Sequence, residues 1–156
     1  MEEDNAVTIR EATLKEVYDF FDKTTKTLYG NIMHALFDPQ RLLKCDVVFV
    51  AECGGRIVGA VTLAFNGLNG ATLDSVYVLP DQRGRGAGYR LCETGLRRFQ
   101  AEGKTPVYCE VNSRALHAAI KRLPADLRAP LRLNLTYQVY GELELPEELN
   151  DSRVSS

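Results

Sequence analysis

The sequence predicts an α/β fold of the α+β kind, a mixed sheet flanked by helices. Three observations predict it. Segments with apolar residues at helical spacing alternate with short β-branched runs, in the order β-α-α-β-β-β-α-β-α-β. One run passes through a loop with three glycines straight into an amphipathic helix, which is the pattern of a βα unit. The chain has 156 residues, 45% of them hydrophobic and 26% charged, which suits one domain over 1–156 with a full core.

Each element follows from local signals. Val7-Thr8-Ile9-Arg10 reads as a short strand. Leu14, Val17, Tyr18, Phe21 and Leu28 then recur at helical spacing, and Thr13 with Glu16 three residues on offers a capping box. A second helical stretch runs near Ile32 to Leu43, broken or restarted at Asp38-Pro39. Val47 to Cys53, Gly54-Gly55 and Arg56 to Phe65 predict a tight hairpin. Asn66 to Gly70 is a second turn, and Ala71 to Leu79 is the strand that enters the glycine loop.

The helix after the loop gathers Leu91, Cys92, Gly95, Leu96 and Phe99 on one side and ends at Glu102-Gly103. Pro106 to Val111 is a strand, and Arg114 to Leu123 a helix stopped by Pro124. Leu131, Leu133, Leu135, Tyr137, Val139, Leu143 and Leu145 keep one parity, as in a long strand with one buried face. The segment 146–156 is acidic, then serine-rich, and is expected to fray.

The glycine loop carries the chemistry. Gly84, Gly86 and Gly88 lie at the start of a helix, where unpaired N–H groups and the positive dipole end favour an anion. Arg83, Arg85 and Arg90 crowd the same end, where exposed cations disfavour the helix by roughly 0.3–1 kcal/mol each unless an anion sits among them. Neither common nucleotide motif fits. G-x-G-x-x-G fails because its third glycine falls on Tyr89 or Leu91. Gly103-Lys104-Thr105 lacks the first glycine of a P-loop, which would fall on Arg98.

The spacing that fits is R-x-x-G-x-G at Arg83, Gly86 and Gly88, after a strand with Val76, Val78 and Pro80. Here the chain resembles the GNAT superfamily of acyl-CoA N-acyltransferases, whose signature is [QR]-x-x-G-x-[GA] after such a strand. The resemblance spans roughly residues 6–145. It implies a central, mostly antiparallel, twisted sheet and acetyl-CoA as co-substrate. It also implies a cofactor site built from Val76, Tyr77, Val78, Arg83, Gly84, Arg85, Gly86, Ala87, Gly88 and Tyr89. In that family the loop amides hold the pyrophosphate and the Val76–Val78 backbone pairs with the pantetheine arm.

Val111 to Ala115 resembles the family's N-x-x-A element, in which Asn112 would orient the pantetheine or the acceptor. The family tyrosine near the sulfur falls on Ala119 here, and Leu123-Pro124 replaces a Gly-Phe pair. The general acid therefore has no residue at its usual place. A thiol leaving group with a pKa near ~8.5 makes acid assistance helpful but not obligatory. Ser113, Tyr108, His117, Tyr137 and Tyr140 are alternatives, each with an ordinary reading as cap, strand aromatic or packed side chain.

The implied reaction is direct attack of a neutral amine on the thioester, so a carboxylate or water must accept a proton. Asp74 and Glu110 lie on the two strands that flank the cofactor in the family arrangement, and Asp74 has the better claim. Both also read as paired or solvated strand-edge carboxylates. The acceptor is a small-molecule or protein amine. The alternative is a non-catalytic acyl-CoA-binding module, motivated by Ala119.

Composition limits other classes. The net charge of −2 and a pI near 5.7 give no basic field for nucleic acid. The apolar runs are shorter than a membrane span. Met1-Glu2-Glu3-Asp4 is unlike a secretory leader, so a cytoplasmic protein is expected. Cys45, Cys53, Cys92 and Cys109 lack metal-site spacing and read as buried small hydrophobes. The last strand offers an edge through which a homodimer could pair.

Overall fold

The computed structural model describes residues 6–29, 39–66 and 70–136. Its strands are β1 Val7–Ala12, β2 Val47–Cys53, β3 Arg56–Phe65, β4 Ala71–Val78, β5 Val107–Val111 and β6 Leu131–Leu135. Its helices are α1 Leu14–Tyr29, α2 Pro39–Leu42, α3 Ala87–Ala101, α4 Arg114–Lys121 and α5 Ala125–Arg128. The expected order is present, with α5 added. The sequence reading stopped α4 at Pro124, but that proline is also the N-cap of a further short helix.

One sheet runs β1-β2-β3-β4-β5-β6. Strands β1 to β4 form an antiparallel meander, while β4–β5 and β5–β6 are parallel. Parallel neighbours need a crossover, and α3 and the α4–α5 pair supply the two. The mostly antiparallel mixed sheet expected from the sequence is therefore the observed one.

Helices cover both faces. Leu91, Leu96 and Phe99 of α3 pack on Val61, Leu63, Leu73 and Val107. Gly95 sits at the closest approach, where a Cβ would lie 2.9 Å from Leu63 Cδ2. On the other face Val17, Phe20 and Phe21 of α1 pack on Val48, Val50 and Ala60. Alternate residues of β2 thus enter opposite cores, which explains its unbroken apolar run. Phe20 takes the core place expected of Tyr18, which is 41% exposed.

The capping box forms as predicted: Glu16 N–H donates to Thr13 Oγ1 at 3.1 Å, and Thr13 N–H to Glu16 Oε1 at 2.9 Å. Strand β6 keeps the expected alternation, with Leu131 buried and Arg132 and Asn134 exposed. The remainder of the predicted long strand, Tyr137 to Leu145, and the segment 146–156 lie outside the described residues, as do 30–38 of the second predicted helix. Cys45, Cys92 and Cys109 are buried, whereas Cys53 is half-buried, which corrects the expectation for that residue. Among the described residues no helix is long and apolar enough to cross a membrane.

Candidate active site

Two features of β4 open the sheet. The first is a bulge. Thr62 pairs with Ser75 and Leu63 with Leu73, so Asp74 is an extra residue with no partner position on β3. The second is a short ladder to β5. Ala71, Thr72 and Leu73 pair with Val107, Tyr108 and Cys109, and the pairing ends there. Beyond it β5 continues beside β6 as far as Val111. From Asp74 to Val78 the β5-facing edge of β4 has no strand neighbour among the described residues, and a cleft opens between the two strands.

The bulge also reverses the facing of β4. Ala71 and Leu73 belong to the α3-side core, and so do Val76 and Val78. Tyr77 therefore points the other way, against Phe20 and Phe21 of α1 at ring-centroid separations of 6.5 and 6.3 Å. Leu79 N–H donates to Val58 O at 2.9 Å, toward β3. By strand alternation the N–H groups of Val76 and Val78 point into the cleft.

The glycine loop closes the end of this cleft. A single 3₁₀ turn over Pro80–Gln82 leads to Arg83 and Gly84, and Gly86 is the N-cap of α3. Gly86 has φ +84°, a conformation that side chains disfavour, and it offers no side-chain cap to the helix. A Cβ at Gly84 or Gly86 would meet nothing within 4 Å, so the loop borders open space. The amides of Ala87, Gly88 and Tyr89 have no carbonyl one turn back and face the loop. These donors, next to an open strand edge, fit an extended ligand with a phosphorylated end.

The arginines divide their tasks. Arg83 donates from Nε to Val78 O at 2.8 Å, and its guanidinium lies 5.3 Å from the Tyr77 ring centroid. Arg85 is exposed, with Nη1 3.8 Å from Cys53 Sγ. Arg90 donates to Val7 O and so ties α3 to β1. Tyr89 stacks under Arg122 of the α4 C-cap, 4.9 Å from guanidinium carbon to ring centroid. Sequence reasoning missed Arg122, because its contact with Tyr89 spans two elements.

Asp74 and Glu110 flank the cleft, as expected, on the face away from α3. Val107, Cys109 and Val111 fill the α3-side core, which leaves Tyr108 and Glu110 on the opposite face. Asp74 contacts Arg41, Thr62 and Cys45 on that same face. Its carboxylate is ion-paired with Arg41, and Thr62 Oγ1 donates to Oδ2 at 3.4 Å. Burial, and then the nearby Asp74 charge, push the Cys45 thiol up to about 11. Arg41, Thr62 and Cys45 carry no motif that marks them in sequence.

The other candidates fall into place. Asn112 is exposed between β5 and α4, beside the cleft. Ser113 caps α4, accepting from Leu116 N–H at 3.1 Å. His117 and Ala119 are buried in α4. Tyr108 is 50% exposed. Tyr137 and Tyr140 lie outside the described residues.

The comparisons agree with this fold. Residues 14–123 match the model of the acetyltransferase (GNAT) family. Among solved structures, an aminoglycoside acetyltransferase from an uncultured soil metagenomic sample, in complex with sisomicin, superposes with a TM-score of 0.59 at 17% identity, over 86% of this chain and 95% of that one. A predicted acetyltransferase with acetyl-CoA from Clostridium acetobutylicum gives 0.56 at 15% identity, over 75% and 88%. An IAA acetyltransferase from Bacillus cereus gives 0.58 at 13% identity, over 75% of each. No curated protein sequence matches the chain.

Proposed function

The chain belongs to the acetyltransferase (GNAT) family, and from that premise we propose that it moves the acetyl group of acetyl-CoA to a primary amine by direct attack. The observation that carries this reading is the cleft between β4 and β5, which ends on the free amides of α3. A long thioester ligand with a pyrophosphate needs both parts. The pyrophosphate would meet the Gly86 to Tyr89 backbone and Arg85. The pantetheine would pair with the open edge at Val76 and Val78, with Tyr77 fixing the strand between them and Asn112 across the cleft.

The neutral amine donates its lone pair to the thioester carbonyl. A C–N bond forms, the C–S bond breaks, and the CoA thiolate leaves. The amine proton passes to a carboxylate on the cleft, Asp74 or Glu110, or to water. The thiolate takes up a proton afterwards, so the products are an amide and free CoA. With a thiol pKa near ~8.5 the leaving group tolerates the absence of a tyrosine at Ala119.

The acceptor is a small-molecule or protein amine. The likeness to a sisomicin-bound acetyltransferase puts polycationic amines beside monoamines in the first panel. The four free cysteines suit a reducing compartment, and we place the protein in the cytoplasm.

The test is a calorimetric titration with acetyl-CoA, with CoA release followed on a panel of amines. Binding with release on at least one amine is the expected result. Binding without release on any amine would favour a non-catalytic acyl-CoA module. Absence of binding would overturn the reading of the loop.

A further inference from the structure

On the face of the cleft away from α3, Arg41 of α2 and Asp74 of the β4 bulge lie across from Glu110 of β5, with Arg132 of β6 turned back onto the carbonyls of Ala129 and Leu131. Asp74 is not available as it stands. Its side chain is 15% exposed and pairs with a guanidinium that is itself 55% exposed. Thr62 donates to the same carboxylate, and the Cys45 thiol lies 3.9 Å from it. Both carboxylate oxygens are thus engaged. Arg41 also feels the charge of Glu110. Glu110 is exposed, and among the described residues its carboxylate makes no hydrogen bond or ion pair.

We propose that Arg41 is a positioning and specificity residue of the acceptor site: it occupies Asp74 as an internal counter-ion and leaves Glu110 as the carboxylate that meets the acceptor amine. A carboxylate already bound to a guanidinium attracts an ammonium group less strongly, because part of its charge is neutralised. The Glu110 carboxylate has no such counter-ion among the described residues. Of the two carboxylates Glu110 is then the one without a guanidinium partner. That is complementary to an acceptor with one ammonium group. A second ammonium on the same acceptor would have to compete with Arg41 for Asp74. Arg41 therefore selects against short diamines and in favour of monoamines. This inference rests on the acetyl-transfer reading for its kinetic consequences, but amine selection can be measured without turnover.

The experiment compares n-butylamine with 1,4-diaminobutane in the wild type and in Arg41→Gln, Arg41→Lys, Glu110→Gln, Asp74→Asn and Arg41→Gln/Asp74→Asn. Kinetics are read as kcat and KM for each amine, and amine binding to the CoA-loaded protein is read by calorimetry. In Arg41→Gln the diamine should gain about fivefold over the monoamine in KM and in affinity, the scale of one partly exposed charge pair. Arg41→Lys should keep the wild-type ratio, and the double variant should lose the gain. Glu110→Gln should lower kcat for both amines by about 10²-fold or more while acetyl-CoA affinity holds.

A diamine gain in binding without any turnover would uphold the Arg41 inference and sink the transfer reading instead. An unchanged ratio in Arg41→Gln, or absence of amine binding in both proteins, would overturn it. So would a gain that survives removal of Asp74. A large kcat loss in Asp74→Asn alone, with Glu110→Gln near wild type, would return the proton-accepting role to Asp74. Thermal melts and acetyl-CoA titrations of each variant separate these outcomes from misfolding.

Discussion

Arg83 Nε donates to the carbonyl of Val78 at 2.8 Å, so the first arginine of the glycine loop is tied back to the strand that delivers it. The bond fixes the angle at which the chain leaves β4. It also holds Arg83 over Tyr77, whose ring is itself braced by Phe20 and Phe21. The loop is thereby anchored from both cores before any ligand arrives.

Gly86 gives the direct test of the amide cradle. At φ +84° a side chain costs about 1–2 kcal/mol in the folded state, although nothing blocks the Cβ in space. Gly86→Ala should lower the melting temperature by several degrees and weaken acetyl-CoA binding at least tenfold. Gly88→Ala, whose Cβ would only touch Val78 Cγ2 at 3.7 Å, should fold like wild type. Paired melts and titrations check both.

The cysteines should react in a fixed order. Burial pushes Cys92 and Cys109 up to about 12 and, with Asp74, Cys45 up to about 11. At pH 8 about one Cys45 thiol in a thousand is then the reactive thiolate. Iodoacetamide should label Cys53 first, and the other three only after denaturant is added. Mass mapping of the labelled peptides reads the order.

Acid should act through the α1 N-terminus. The Arg10 guanidinium and the Thr13 amide hold the Glu16 carboxyl down to about 2, against an ordinary value of 4.5. The folded state therefore prefers ionised Glu16. Its contribution is complete above about pH 4.5 and fades as the pH falls through about 2. The difference in melting temperature between wild type and Glu16→Gln should be largest near neutral pH. It should shrink steadily on titration from pH 5 to pH 2.

Ser113 separates a capping role from a catalytic one. Ser113→Ala should cost about 1 kcal/mol of stability, because Leu116 N–H loses its acceptor. Ser113→Asp should restore the cap and the melting temperature. If Ser113 were the general acid, neither substitution would keep kcat. Both should keep it once measured well below the melting temperature.

Much of the cleft was legible because its parts are local. The hairpin at Gly54-Gly55, the loop and the apolar face of α3 each lie within a short stretch of chain, and the structure has all three. Even the bulge left a trace. Ala71 and Leu73 are odd-numbered members of the α3-side core, while Val76 and Val78 are even, and that slip of parity is the extra residue. The Arg41–Asp74 pair left none. It joins residues 33 apart on a four-residue helix and a strand, and nothing local links them. For that reason the sequence names no partner for Asp74 and does not single out Arg41.

The short β4–β5 ladder divides the sheet into two leaves that are hydrogen-bonded to each other at one end only. The leaf of β5 and β6 is bonded to the meander through three residue pairs at one end. Amide protons in that leaf should therefore exchange as a group, ahead of those in β2 and β3, at a lower opening free energy. A ligand seated in the gap would bond along the edge where a strand would otherwise lie. It would act as the missing rung, joining two leaves into one cooperative unit and slowing exchange far from any atom it touches.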